Sequence, residues 1–229
     1  MKILYLGIPF LLNLLLMGCS SRDAILMEEY KGHKVTGKDL TIIKLFEKPS
    51  IANEDDVTDD LGPGIPNEVY TAFFNKIFLY AFQVSNCCNK LNYITDFSEL
   101  EMEERTLDIN SKAQMRILLP KENSKLEIDS VASDYILLID SLYISRKKGE
   151  SGTWIGETHY GGSFGGLYHQ IHFAMWDNTN RKLVSYGIVH EESAVAFGMT
   201  DFNWRSVIIG LVTKIFKYSP FPVPKFIYH

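Results

Sequence analysis

The stretch "DYILLIDSLYISRKK", residues 134–148, constrains the fold of this chain more than any other. Successive side chains of a strand point to opposite faces. The unbroken apolar run from Tyr135 to Ile139 therefore needs cover on both faces, as in the middle of a sheet packed on both sides. Beyond it, Leu142 and Ile144 alternate with Tyr143 and Ser145, the pattern of a strand leaving the core. This segment is read as the central strand of a sheet.

Its neighbours follow from the same rules. "LTIIKLFEK" (40–48) and "AQMRILLP" (113–120) read as strands. So do "LYHQIHFAMW" (167–176) and "RKLVSYGIVHE" (181–191), joined by a hairpin turn at "DNTN". In "PNEVYTAFFNKIFLYAFQVSN" (66–86), Pro66 and Glu68 suit the first turn of a helix. Val69, Phe73, Ile77, Tyr80 or Ala81, and Val84 supply its expected apolar face. "DFNWRSVIIGLVTKIFKY" (201–218) predicts a second helix with Asp201 as N-cap and Trp204, Val207 or Ile208, Leu211 and Ile215 facing inward. Pro220 ends it, and the tail "SPFPVPKFIYH" packs along the surface or meets a partner.

Two acidic segments remain. "DFSELEMEERTLD" (96–108) reads as a short surface helix. "PSIANEDDVTDDLGPGIPNE" (49–68) reads as an exposed loop. Its Glu54, Asp55, Asp56, Asp59 and Asp60 lack the alternating ligands and central glycine of a calcium loop. The order of elements predicts an α+β fold: one domain, a mainly antiparallel sheet, and two main helices packed on one side.

The N-terminus, "MKILYLGIPFLLNLLLMGC", places Lys2 before an apolar run from Ile3 to Met17 broken by Gly7, Pro9 and Asn13. A transmembrane helix needs about 20 apolar residues, and the layout is instead that of a secretory signal. Its end, "LMGC", resembles the bacterial lipobox. The resemblance implies that Leu16, Met17 and Gly18 are recognition positions and that the signal, residues 1–18, is cut before Cys19. It also implies a diacylglyceryl group on the Cys19 thiol and an acyl chain on the new amine. Two or more chains hold stably at a membrane. Ser20, where an aspartate favours the inner membrane in enteric-type sorting, implies the outer membrane. Residues 19–38 are polar and aperiodic and read as a tether, with the domain spanning 39–229.

Removing residues 1–18 from the 229 leaves 211, and the loss of Lys2 takes the net charge from -5 to -6. A mildly acidic chain without a basic run argues against nucleic acid as a partner. Aromatic residues at 13% speak for a packed domain. Of the three cysteines, Cys87 and Cys88 are adjacent. They read as small buried residues at a helix end, as a vicinal or intermolecular disulfide, or as thiols for catalysis or metal; no CxxC spacing supports the last.

Candidate chemistry is sparse. His169 and His172, three apart on a strand, fall on opposite faces and cannot share a metal. His190 reads as approaching the glycine-rich segment "GESGTWIGETHYGGSFGG" (149–166), where it could join His159 and Glu157 in a metal-dependent or acid-base hydrolase. "GGSFGG" is neither a nucleophile elbow nor a phosphate loop. No catalytic residue, metal ligand or cofactor is assigned beyond the acyl groups on Cys19. Read as a loop, 149–166 carries Trp154, Tyr160 and Phe164 among glycines. Such rings are typical interface anchors, or they fold back over the domain's own sheet.

From Asp134 to Lys217, "DYILLIDSLYIS", "HQIHFAMWDNTNRKLVSYG" and a terminal helix resemble the small α/β domain of curli-secretion-type lipoproteins. They resemble equally the auxiliary lipoproteins of ABC-type lipid transport. Both resemblances imply a non-enzymatic module that assembles with an envelope protein partner.

Overall fold

The apolar run of 135–139 is central because both faces of its sheet are covered. The computed structural model describes residues 24–98, 100–110, 113–127, 133–155, 158–195 and 199–224. The strands are β1 (Ala24–Leu26), β2 (Leu40–Lys44), β3 (Ser50–Ala52), β4 (Leu91–Ile94), β5 (Met102–Asn110), β6 (Ala113–Pro120), β7 (Tyr135–Ile155), β8 (Thr158–Asp177) and β9 (Lys182–Val195). The helices are α1 (Glu54–Leu61), α2 (Pro66–Val84) and α3 (Asp201–Lys217). The main sheet runs β1-β9-β8-β7-β2-β4, with β3 also on β7, and β5–β6 form a separate hairpin. Its long ladders, β7–β8 and β8–β9, are antiparallel; the short pairings of β2 with β4 and of β2 and β3 with β7 are parallel. The fold is therefore α+β with a largely antiparallel sheet, as expected.

One face packs on the helices. Leu40, Ile42, Tyr135, Leu137, Ile139, Ile171 and Phe173 meet α2 and α3 in one cluster. The other face, with Ile43, Ile136, Leu138, Ala174 and Trp176, meets Ile109, Met115, Ile117 and Leu119 of the β5–β6 hairpin. β7 keeps both cores supplied through a bulge. Ile139 pairs with Phe173 and Ser141 with His172, leaving Asp140 unpaired. The extra residue reverses the alternation, so that Leu142 and Ile144 rejoin Leu137 and Ile139 on the helix side.

Several expectations change in three dimensions. The acidic segment expected as an exposed loop holds β3 and α1. Val57 is fully buried there, and Asp60 meets the buried guanidinium of Arg146 at 2.7 Å. The segment expected as a surface helix contributes β5, whose Leu107 and Ile109 face the second core. On α2 the buried residues are Tyr70, Phe74, Ile77, Phe78, Ala81 and Phe82. The apolar face is rotated by about one residue from the expected one, leaving Tyr80 and Val84 exposed. Thr200, not Asp201, is the N-cap of α3, closing a capping box with Asn203. The inward residues of α3 match expectation.

Residues ahead of β2 also pack on the sheet. Ala24–Leu26 pair with Gly187, Tyr186 and Ser185 of β9, and Tyr30 is buried with its hydroxyl on Asp177 at 3.0 Å. An edge strand needs only three residues when a long neighbour offers its free edge. Pro220 accepts a hydrogen bond from the Val35 amide and Phe221 packs on Tyr135, so the start of the tail lies on the domain.

Candidate functional site

The β5–β6 hairpin covers only the part of the outer sheet face that precedes the bulge. Beyond it the face is polar and aromatic. The ladder sets Tyr143, Gln170 and His190 in one cross-strand row and Ser145, Tyr168 and Glu192 in the next. Tyr143 is 38% exposed and its ring meets that of Tyr168 edge to face, 6.2 Å between centroids and 63° between planes. His190 stacks on Tyr168 from β9 at 5.7 Å. A groove of about 590 Å³ opens here, lined by Tyr143, Ser145, Gly166, Tyr168, Glu192 and Ser193 among others.

A directed hydrogen-bond chain runs from the groove along β8. Tyr168 donates its hydroxyl to Gln170 Oε1 at 2.8 Å. The Gln170 amide nitrogen lies 3.1 Å from His172 Nε2. An amide nitrogen only donates, so His172 Nε2 accepts and its ring proton sits on Nδ1. Burial lowers the His172 pKa, which keeps the ring neutral, while the nearby Asp140 carboxylate opposes that shift. Burial raises the pKa of Asp140 at the bulge, with His172 acting against it. The residues of this chain alternate along one strand, so the row was legible once β8 was read as a strand; Tyr143 and Glu192 join it only through the register.

His169 points the other way, as its three-residue offset from His172 requires. It is fully buried between Tyr70 of α2 and Trp204 of α3, with ring centroids 5.5 and 5.6 Å away. Neither of its nitrogens has a hydrogen-bond partner, nor do the Tyr70 hydroxyl and the Trp204 indole N–H. Burial pushes its pKa down to about 3.

The glycine-rich segment 149–166, expected as a loop, continues β7 and β8 as a ladder out to Ile155 and Thr158. Glycine has weak strand propensity, yet the ladder is made by backbone groups that every residue here carries. Among the described pairings, β3 leaves β7 at Ser145 and β9 leaves β8 at Gly165, so the ribbon beyond is two-stranded. Trp154 pairs with His159, Thr153 with Tyr160 and Gly149 with Phe164.

The hydrolase arrangement is not assembled. His190 pairs with Gln170 and His159 with Trp154. The eleven positions between them on β8 span roughly 35 Å at about 3.3 Å per residue. Glu157 lies outside the described residues, as do Leu16, Met17, Gly18 and Cys19. Among the described residues no cluster of three or more His, Cys, Asp or Glu is placed to hold a metal ion. Cys87 is buried and Cys88 half-buried, both as free thiols. No helix among the described residues is long and apolar enough to cross a membrane.

No protein-family model matches the chain, and no curated protein matches it in sequence. Solved structures show distant likenesses. A neuraminyllactose-binding hemagglutinin homolog from Helicobacter pylori is 10% identical with a TM-score of 0.40, over 81% of this chain and 84% of that one. The PelC dodecamer from Paraburkholderia phytofirmans is 9% identical with a TM-score of 0.35, over 86% and 97%. A minor lipoprotein from Acinetobacter baumannii is 9% identical with a TM-score of 0.32, over 84% and 99%.

Proposed function

We propose that this chain is a non-catalytic, lipid-anchored lipoprotein of the bacterial envelope, acting as a binding or assembly module at the outer membrane. The observation that carries the reading is the ribbon. Among the described residues no third strand pairs with the ribbon beyond Gly165, and such open edges readily accept another chain. Trp154, Tyr160 and Phe164, the proposed contact residues, all lie on it.

The anchor half of the reading rests on "LMGC" and on distance. Four residues lie between Cys19 and Ala24, so the five steps of chain span at most about 18 Å. A lipid at Cys19 therefore holds β1 close to the bilayer without a long tether. β1 docks at the level of Phe173, since Ala24 pairs with Gly187 and Gly187 with Phe173. The ribbon tip at Thr158 lies fifteen positions further along β8, a reach of up to about 50 Å.

Metabolic labelling with palmitate tests the anchor. The wild-type chain is expected to take up label and Cys19→Ser to take up none; label on the variant overturns the assignment. Photo-crosslinking residues at positions 154, 160 and 164 in cells test the ribbon. They are expected to trap one discrete envelope protein, whereas a probe at exposed Val84 traps none; equal yields at all four positions remove the ribbon's role.

A further inference from the structure

We propose that Cys87 and Cys88 are a redox modification site, a thiol pair that a small soluble disulfide oxidises to a vicinal disulfide. The supply of such disulfides rests on the envelope reading, because exported proteins meet oxidising conditions. The chemistry itself depends on neither the anchor nor the ribbon.

The pair sits where α2 ends. Ser85 is the C-cap of the helix and Asn86 takes a φ of 48°. The Cys87 amide then donates to Ser85 Oγ at 3.3 Å. Beyond the cysteines the chain turns into β4 and is tied to the start of β2. The Asn89 amide donates to the Lys38 carbonyl and the Leu40 amide to the Lys90 carbonyl, both at 2.9 Å. Both thiols are free and they interact with each other at this bend.

Burial gives the two sulfurs different roles. Cys87 is 2% exposed, which shields it from a soluble disulfide and from another chain. Cys88 is half-buried, so the first exchange takes place there. The Cys88 thiolate attacks one sulfur of the oxidant R–S–S–R, forming Cys88–S–S–R and releasing RS⁻. The Cys87 thiolate then attacks Cys88 Sγ, forming the Cys87–Cys88 bond and expelling the second RS⁻. The two thiol protons end on the two released thiolates. The pair loses two electrons and the oxidant gains them.

The order of the steps sets their rates. The interaction with Cys87 and burial raise the Cys88 pKa, so its thiolate is scarce and the first exchange is slow. The second exchange is between adjacent residues and needs no further collision. A disulfide closed across a single peptide bond is strained, and strained disulfides are the readily reduced ones. The modification is therefore reversible by a small dithiol.

The test incubates the folded full chain with excess oxidised glutathione, alkylates it and digests it with trypsin. The peptide Ile77–Lys90 contains Cys87 and Cys88 and no third cysteine, so Cys19 does not enter the readout. The wild-type peptide is expected to lose two hydrogens and take no alkyl group, and to take two after dithiothreitol. Cys87→Ser is expected to retain one glutathione on Cys88, whereas Cys88→Ser keeps an unmodified thiol. Three wild-type outcomes overturn the proposal: a peptide that stays fully alkylated, one that retains glutathione, or one joined to the peptide of a second chain. Glutathione on Cys88→Ser as readily as on Cys87→Ser also overturns it, because Cys88 is then not the point of attack.

Discussion

Lowering the pH from 7 to 4 is expected to remove about 3 kcal/mol of folding free energy through His169 alone, and about 4 kcal/mol by pH 3. The folded pKa, about 3, lies below the ordinary value near 6.5 that the unfolded chain retains. Between those values the unfolded state binds a proton that the folded state refuses. The contribution is therefore intact above pH 6.5 and is lost progressively as pH falls toward 3. Its cause is desolvation: the ring is fully buried against Tyr70 and Trp204, with no partner for either nitrogen. The nearest charge on the adjacent strand is Glu191, opposite His169 in the ladder and engaged by Lys214 at 2.8 Å.

Urea unfolding at pH 7, 5.5 and 4 measures the effect, and His169→Leu isolates it from the titrating carboxylates. The variant should be about 1–3 kcal/mol more stable at pH 7, because an unpaired buried polar ring is replaced by an apolar one of similar size. Its stability should also fall less steeply with acid. Parallel pH profiles for the two chains would rule His169 out as the cause. Against a total stability of about 5–15 kcal/mol, a loss of about 3 kcal/mol is a large share.

Phe78→Ala is expected to cost about 3–5 kcal/mol. Four aromatic residues, Tyr70, Phe74, Phe78 and Phe82, recur every fourth position of α2. Their ring centroids are 6.0, 4.9 and 5.1 Å apart in turn. Phe82 then meets Phe216 of α3 at 5.1 Å, so the row joins the two helices over the sheet. Phe78 sits inside it, 1% exposed. Its loss removes two ring contacts and leaves a cavity that neighbours on a helix cannot close. Tyr80→Ala, on the opposite side of α2 and 56% exposed, should stay within about 0.5 kcal/mol. A loss under about 1 kcal/mol for Phe78→Ala, measured by the same unfolding curves, would show that the row does not hold the helices.

The misread segments share a physical reason. "MEERTLD" carries a helix-like charge pattern, yet it is a strand. Leu107 and Ile109 gain the second core only by pairing with β6, a partner no local propensity reveals. In the acidic segment, Val57 and Leu61 at a four-residue spacing are the helix signal, set among five carboxylates. Asp60 is tolerated because Arg146, 86 residues away, neutralises it. The glycines of 149–166 suggested a loop because they lack β propensity, whereas the ladder there continues from the strong strands at its base. The three-residue strand at Ala24 has no periodicity to read.

The candidate groove divides along the same line. The alternation Tyr168, Gln170, His172 was present in the sequence as soon as β8 was a strand. Tyr143 and Glu192 reach it only because of the β7 bulge and the β9 register, and a shift of one residue in either would turn them to the other face.

The linear order of residues was enough to determine the central strand, the β8–β9 hairpin, both long helices and the opposite facing of His169 and His172, because each depends on local periodicity and turn chemistry. The tertiary structure alone decided which acidic stretch became helix or strand, how far the glycine-rich hairpin extends and which side chains line the groove. Those outcomes depend on partners distant in sequence, whose burial and pairing energies exceed the local preferences they override.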